Sequence, residues 1–253
     1  MNYKKFVINQ ASTSNTQFSK SFKFQTDTEY GFVTGISFFT VQGGSENFKL
    51  GIDDEAGNHI IEPLPVEFWN LSNENIDRDK YFIPLHLEAG GKQITFFFET
   101  EGTNSEIEIH TLIRFDNDVR APICEYSYQL EEIEIPDMST LNDGANIGFP
   151  LLTLDRNYEK VIGFLAIYEN ITNAKSFALG LFKSNGEMIL EEIPMSFVLC
   201  QSKLPYLNRF FSIESKAKGT QIKPRIELLN KNAPASTSKL QLIFQLERTK
   251  TQN

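Results

Sequence analysis

Histidine is the side chain most often recruited for proton transfer and metal binding near neutral pH, and this chain has three: His59, His86 and His110. None lies close enough to another for a helical metal pair, and no HExxH, GxSxG, GxGxxG or phosphate-loop signature occurs. The densest acidic run is Asp53-Asp54-Glu55. Carboxylates at a turn suit calcium, but the matching turn of the second half carries Lys183, which favours an ordinary solvated hairpin. Asp116-Asn117-Asp118 reads as a polar boundary by the same reasoning. Cys124 and Cys200 lie 76 positions apart without metal spacing and read as reduced thiols. The residues therefore point to no catalytic set, no cofactor and no metal, and the chain is expected not to be an enzyme.

Two surface features remain. Trp69 is the single tryptophan, the natural ring for stacking on a sugar, although its matched position in the second half is Val198, which points instead to a buried or interface place. Lys216, Lys218, Lys223 and Arg225 form a loose basic cluster suited to phosphate or to a solvated face. With Trp69 they are the candidate interface residues. Asn70-Leu-Ser72 and Asn170-Ile-Thr172 match the glycosylation sequon, but the N-terminus lacks the apolar core of a secretory signal, so both are read as chance.

The elements that would position these residues come from an internal repeat. Asp27, Tyr30, Val33 and Gly35 recur as Asp155, Tyr158, Val161 and Gly163. Phe48-Lys-Leu-Gly51 recurs as Phe177-Ala-Leu-Gly180, and Gly57, Ile60, Glu62, Pro65 and Phe68 recur as Gly186, Ile189, Glu191, Pro194 and Phe197. Lys80-Tyr81-Phe82 aligns with Arg209-Phe210-Phe211, and Gln93-Ile94 with Gln221-Ile222. Many ordered matches at nearly one offset indicate a duplication. Each copy reads as about eight short strands rich in β-branched and aromatic residues, broken by turns such as Asn185-Gly186. No stretch sustains a helical apolar period. The fold class is all-β: two tandem jelly-roll-like β-sandwiches related by an internal repeat. The boundaries read 1–118 for the first sandwich, 119–145 for a linker or crossover, and 146–253 for the second.

Charge is uneven. Residues 1–118 carry net −9, residues 119–145 net −5 and residues 146–253 net +5. The whole is too acidic for a general nucleic-acid binder, and no apolar run approaches the ~18–20 residues of a membrane helix.

With two copies of about eight strands, the Tyr30/Tyr158 and Gly35/Gly163 pattern, a connecting segment and a compact length, the layout resembles viral double jelly-roll capsid proteins, particularly small ones of bacterial viruses. The resemblance implies a structural virion protein, shell or capsid-associated, made in the host cytoplasm and placed in the virion. It implies a homotrimer within a larger assembly, with further copies of itself and other virion proteins as partners and no specific nucleic acid. In such a trimer six sandwiches form a pseudo-hexagonal ring in which acidic and basic copies alternate. A tandem carbohydrate- or ligand-binding module without catalysis is the alternative, and an enzyme on a cupin-like barrel a third reading.

Overall fold

The computed structural model describes residues 2–12, 14, 17–42, 47–69, 81–102, 105–117, 123–168, 171–201, 204, 206–229 and 236–250. Strands dominate, and the chain divides into two compact units. The first comprises Met1–Tyr128 with Gln201–Asn208 and Thr249–Asn253; the second comprises Gln129–Cys200 with Arg209–Arg248.

Eight strands build the first unit: β1 (Asn2–Gln10), β2 (Gln17–Gln25), β3 (Phe32–Gln42), β4 (Phe48–Asp53), β5 (His59–Pro65), β6 (Ile83–Glu88), β7 (Gln93–Glu101) and β8 (Ile107–Asp116). One sheet runs β1-β8-β3-β6 and the other contains β2-β7-β4-β5. That interleaving of first with eighth, third with sixth, second with seventh and fourth with fifth strands is a jelly roll. The alternation along β8 shows why the sheets pack: Ile107, Ile109, Thr111, Ile113 and Phe115 are buried while the residues between them are not. A period of two turns one face to the core and leaves the other to solvent.

The second unit repeats the plan. Its strands are β9 (Ile123–Ile135), β10 (Asn146–Gly148), β11 (Leu152–Thr153), β12 (Lys160–Tyr168), β13 (Phe177–Lys183), β14 (Met188–Pro194), β15 (Phe211–Lys216), β16 (Gln221–Leu228) and β17 (Ser238–Lys250). One sheet contains β9-β17-β12-β15, and the other runs from β10 and β11 through β16 and β13 to β14. The β10–β11 pair stands where β2 stands in the first unit, as one strand broken in two. The core is continuous from Ile133 and Ile135 through Phe164, Phe177 and Leu179 to Phe244 and Leu246.

A 13-residue strand, β9, thus occupies much of the segment read from the sequence as a linker. Its last residues, from Gln129, belong to the second unit as the first strand of that jelly roll. Ile123–Tyr128 belongs to the first unit, where Tyr128 pairs in parallel with Ile61. The reason the sequence concealed it is that the odd-numbered, buried positions of its first half are Glu125, Ser127 and Gln129. These polar groups are satisfied rather than solvated: Ser127 Oγ donates to the Ile60 carbonyl at 3.0 Å, and the Gln129 amide donates to Thr153 O at 2.9 Å and accepts from Asp155 N at 3.0 Å.

The repeated glycines are explained by one device used twice. In β3 the register to both neighbours shifts between Val33 and Gly35; in β12 it shifts to both neighbours between Val161 and Gly163. A Cβ on Gly35 would lie 2.9 Å from Cβ of Phe82, and one on Gly163 would lie 3.0 Å from Cβ of Phe210. An aromatic residue sits directly over each bulge, so only glycine fits. This corrects the sequence alignment by one residue: Phe82 corresponds to Phe210, not Phe211. The register agrees, since Ile36 pairs Ile83 as Phe164 pairs Phe211.

Replacing Gly35 with Ala is expected to destabilise the first unit by about 1–3 kcal/mol, because backbone and a core ring must both shift. Urea unfolding followed by the fluorescence of Trp69, which lies in that unit, measures it. An unchanged midpoint would contradict the close approach.

Candidate functional site

The residues proposed for chemistry are dispersed, and most are committed to local structure. In the Asp53–Glu55 turn, the Asp54 carboxylate accepts from the backbone N and the side-chain amide of Asn58, both at 2.8 Å. Asp53 faces His59 Nδ1 at 2.6 Å. Gly57, at φ +82°, donates to Asp54 O, as Gly186, at φ +86°, donates to Lys183 O in the second unit. The two hairpins therefore close alike although one is acidic and the other is not. In the second, Lys183 Nζ bonds Glu187 at 2.5 Å, which holds the Glu187 carboxyl below its ordinary range. Asp54 acts as a turn-closing residue in the manner of an Asx turn, so this loop is not laid out as a calcium cradle.

Asn117 has a similar task. Its side chain accepts from Gly31 N at 2.7 Å and donates to Glu29 O at 3.1 Å, tying the end of β8 to the turn before β3. His110 pairs with Glu108 at 2.5 Å, and the His86 ring stacks on Phe32 with centroids 4.6 Å apart. Among the described residues no three His, Cys, Asp or Glu side chains gather as metal ligands would. Asn70 and Asn170, the sequon asparagines, and Asp118 lie outside the described residues.

Trp69 is not an exposed stacking platform. It ends a four-residue helix, α1 (Val66–Trp69), that follows β5, and only 1% of its surface is exposed. Its indole N–H donates to Leu64 O at 3.1 Å, and its ring meets Phe38, Phe68 and Tyr206 edge-on. Tyr206 comes from the segment 201–208, which lies between β14 and β15 in the chain but belongs to the first unit. Its hydroxyl donates to Trp69 O at 2.5 Å. Burial of this aromatic group against α1, with Tyr128 alongside Phe68, was invisible to the sequence because its members lie 137 residues apart in the case of Trp69 and Tyr206.

The basic cluster is likewise divided. Lys216 ends β15 in one sheet, whereas Lys223 and Arg225 lie on β16 in the other. Lys218 occupies the intervening turn at φ +33°, where the first unit has Gly90 at φ +60°. The correspondence is set by hydrogen bonds, since Lys218 N donates to Tyr158 O as Gly90 N donates to Tyr30 O. Arg225 forms an ion pair with Glu192 and lies 4.3 Å from the Phe182 ring centroid, so its charge is largely committed. Among the described residues these basic side chains are dispersed over two sheets and the turn between them.

No family model matches the chain, and no curated protein matches it. Among solved structures it is similar to the PBCV-1 VP54 crystal structure fitted into a cryo-EM reconstruction of the virophage Sputnik. The identity is 10% and the TM-score 0.48, over 100% of this chain and 97% of that one. It is also similar to a chain of the Sputnik virophage cryo-EM structure, at 9% identity and a TM-score of 0.39, over 98% of this chain and 86% of that one. A third similarity, to the PBSX exported protein XepA, has 11% identity and a TM-score of 0.21 over 95% and 86% of the two chains.

Changing Tyr206 to Phe keeps the ring and removes the donor to Trp69 O. Leaving that carbonyl short of a partner inside an apolar cluster is expected to cost about 1–3 kcal/mol. Thermal or urea unfolding of the variant, read on Trp69 emission, tests the assignment, and wild-type stability would contradict it.

Proposed function

We propose that this protein is a structural virion component, a capsid shell or capsid-associated protein, that works by assembling with copies of itself. The observation that carries this reading is the topology: two complete jelly rolls in succession, with the same strand order and the same glycine bulge. Such sheets present broad, rigid surfaces, and the polar residues with chemical potential are spent on turns and strand ends. Function by surface contact follows more readily from this than function by a pocket.

The proposed assembly is a homotrimer in which three chains supply six jelly rolls, with other virion proteins as neighbours. The unit boundaries revise the charge argument. The first unit holds 12 basic and 19 acidic residues, net −7, and the second holds 12 basic and 14 acidic, net −2. The contrast is strongly against weakly acidic, not acidic against basic. It still disfavours contacts between two first rolls and permits contacts between a first and a second roll. Lys216, Lys218 and Lys223, all exposed, remain candidates for subunit contacts. A bacterial virus as the source rests on the compact length alone. The alternative of a carbohydrate-binding module loses its chief residue with the burial of Trp69.

Size-exclusion chromatography with light scattering is expected to show a trimer, and electron microscopy of concentrated protein is expected to show six-lobed rings or hexagonal arrays. A strict monomer at the highest attainable concentration would overturn the proposal.

A further inference from the structure

Four peptide bonds carry the chain between its two units, after Tyr128, Cys200, Asn208 and Arg248. The excursion Gln201–Asn208 is rooted in the second unit on both sides. Before it, the Ala166 N–H donates to Val198 O at 2.8 Å and the Cys200 N–H donates to Ala166 O at 2.7 Å, so the chain departs from β12. After it, Phe211 pairs with Phe164 of β12, and Phe210 stands over the bulge at Gly163. The two roots therefore lie on one strand, at Ala166 and Phe164. Between them a four-residue helix, α2 (Tyr206–Arg209), spans the boundary, with Tyr206 in the first unit and Arg209 in the second. Both side chains are buried.

Tyr206 is seated in the first unit by α1. Its hydroxyl donates to Trp69 O, and its ring lies 5.9 Å from that of Phe68. Phe68 meets a second tyrosine at the same centroid distance, Tyr128. Tyr128 is the last residue of β9 in the first unit, and the next, Gln129, is bonded through its side chain to Thr153 O and Asp155 N of the second. α1 is fixed to its own roll by the Trp69 indole, which donates to Leu64 O at 3.1 Å. Both tyrosine rings against Phe68 thus sit on stretches of chain whose continuation is built into the second roll. The remaining crossing, after Arg248, comes just before β17 ends at Lys250 and carries no ring into the first unit.

We infer that Tyr128 and Tyr206 form a clasp on Phe68 which makes the two jelly rolls one cooperative folding unit. Rolls with separate cores and a plain linker would unfold independently. Here unfolding of the second roll frees both roots on β12, and Tyr206 loses the fixed backbone that seats it. Unfolding of the first roll opens α1 and strips both tyrosines of their neighbours. Either half-folded state has lost the same ring burial and hydrogen bond without the chain entropy that full unfolding releases, so neither accumulates. The clasp lies within one chain, so the inference holds or fails apart from the self-assembly proposed above.

Pulsed hydrogen exchange across a urea series, at one protein concentration, reads both units at once. Peptides from β4 and β7 report the first unit, and peptides from β13 and β16 report the second. In the wild-type chain the two sets are expected to lose protection at the same midpoint. Tyr206→Ala is expected to separate them, the first unit's midpoint falling by about 1 M urea relative to the second's. Tyr206→Val is read in the same way should the alanine variant not fold. Ile113→Val, a change at a buried position of β8 outside the clasp, is expected to lower both midpoints together. Wild-type midpoints that differ, midpoints that stay together in the Tyr206 variant, or an equal separation in Ile113→Val would each overturn the inference.

Discussion

The close approach of an aromatic side chain to a glycine in the third strand of each roll is the contact on which the two sheets depend. β3 and β12 lie between their neighbours in the β1-β8-β3-β6 and β9-β17-β12-β15 orders. An extra residue at Thr34 or Ile162 therefore offsets the register on both sides at once. A bulge in a central strand leaves backbone groups off the ladder, and these need other partners. In the first unit Arg114 provides them: its guanidinium donates to Thr34 O at 2.8 Å and to Thr34 Oγ1 at 3.1 Å, and lies over the Phe82 ring. In the second unit Gln245 stands across from Gly163, where Arg114 stands across from Gly35. The glycine and the ring above it were retained in both copies, while the polar partner diverged.

This contrast explains how far the sequence could be read. Positions at which only one residue type fits, such as Gly35 with Gly163 and Gly57 with Gly186, remain identical and reveal the duplication. Strands with an apolar inward face, such as β8, declare themselves by alternation. β9 does not, since Glu125, Ser127 and Gln129 take the inward positions, and Ser127 and Gln129 find partners that lie far off in sequence. The single-residue slip at Phe82 and Phe210 has a related cause: similar aromatic residues stand side by side in Phe210-Phe211, and only the contact with glycine distinguishes them.

The candidate functional residues were less legible than the fold. Trp69, Asp54 and Asn117 are conspicuous by type, yet each is explained by local packing or a turn. Phe197 was visible only as a match to Phe68; its exposure is a property of three-dimensional structure that no periodicity encodes. At this matched position the copies differ in burial alone: the same residue type is buried as Phe68 and exposed as Phe197.

The assignment of residues 201–208 to the first unit also bears on the order in which the protein is made. Synthesis proceeds from the N-terminus, and domains ordinarily fold as they emerge. Here the strands of the first roll are complete by Asp116, but the cover over Phe68 and Trp69 arrives only with Tyr206. Until then Phe68 and Trp69 have Tyr128 and Phe38 beside them but lack the Tyr206 ring and its hydrogen bond to Trp69 O. The nascent chain thus carries an incomplete aromatic cluster, and the interleaved segment makes the first roll's completion conditional on the second having been largely synthesised.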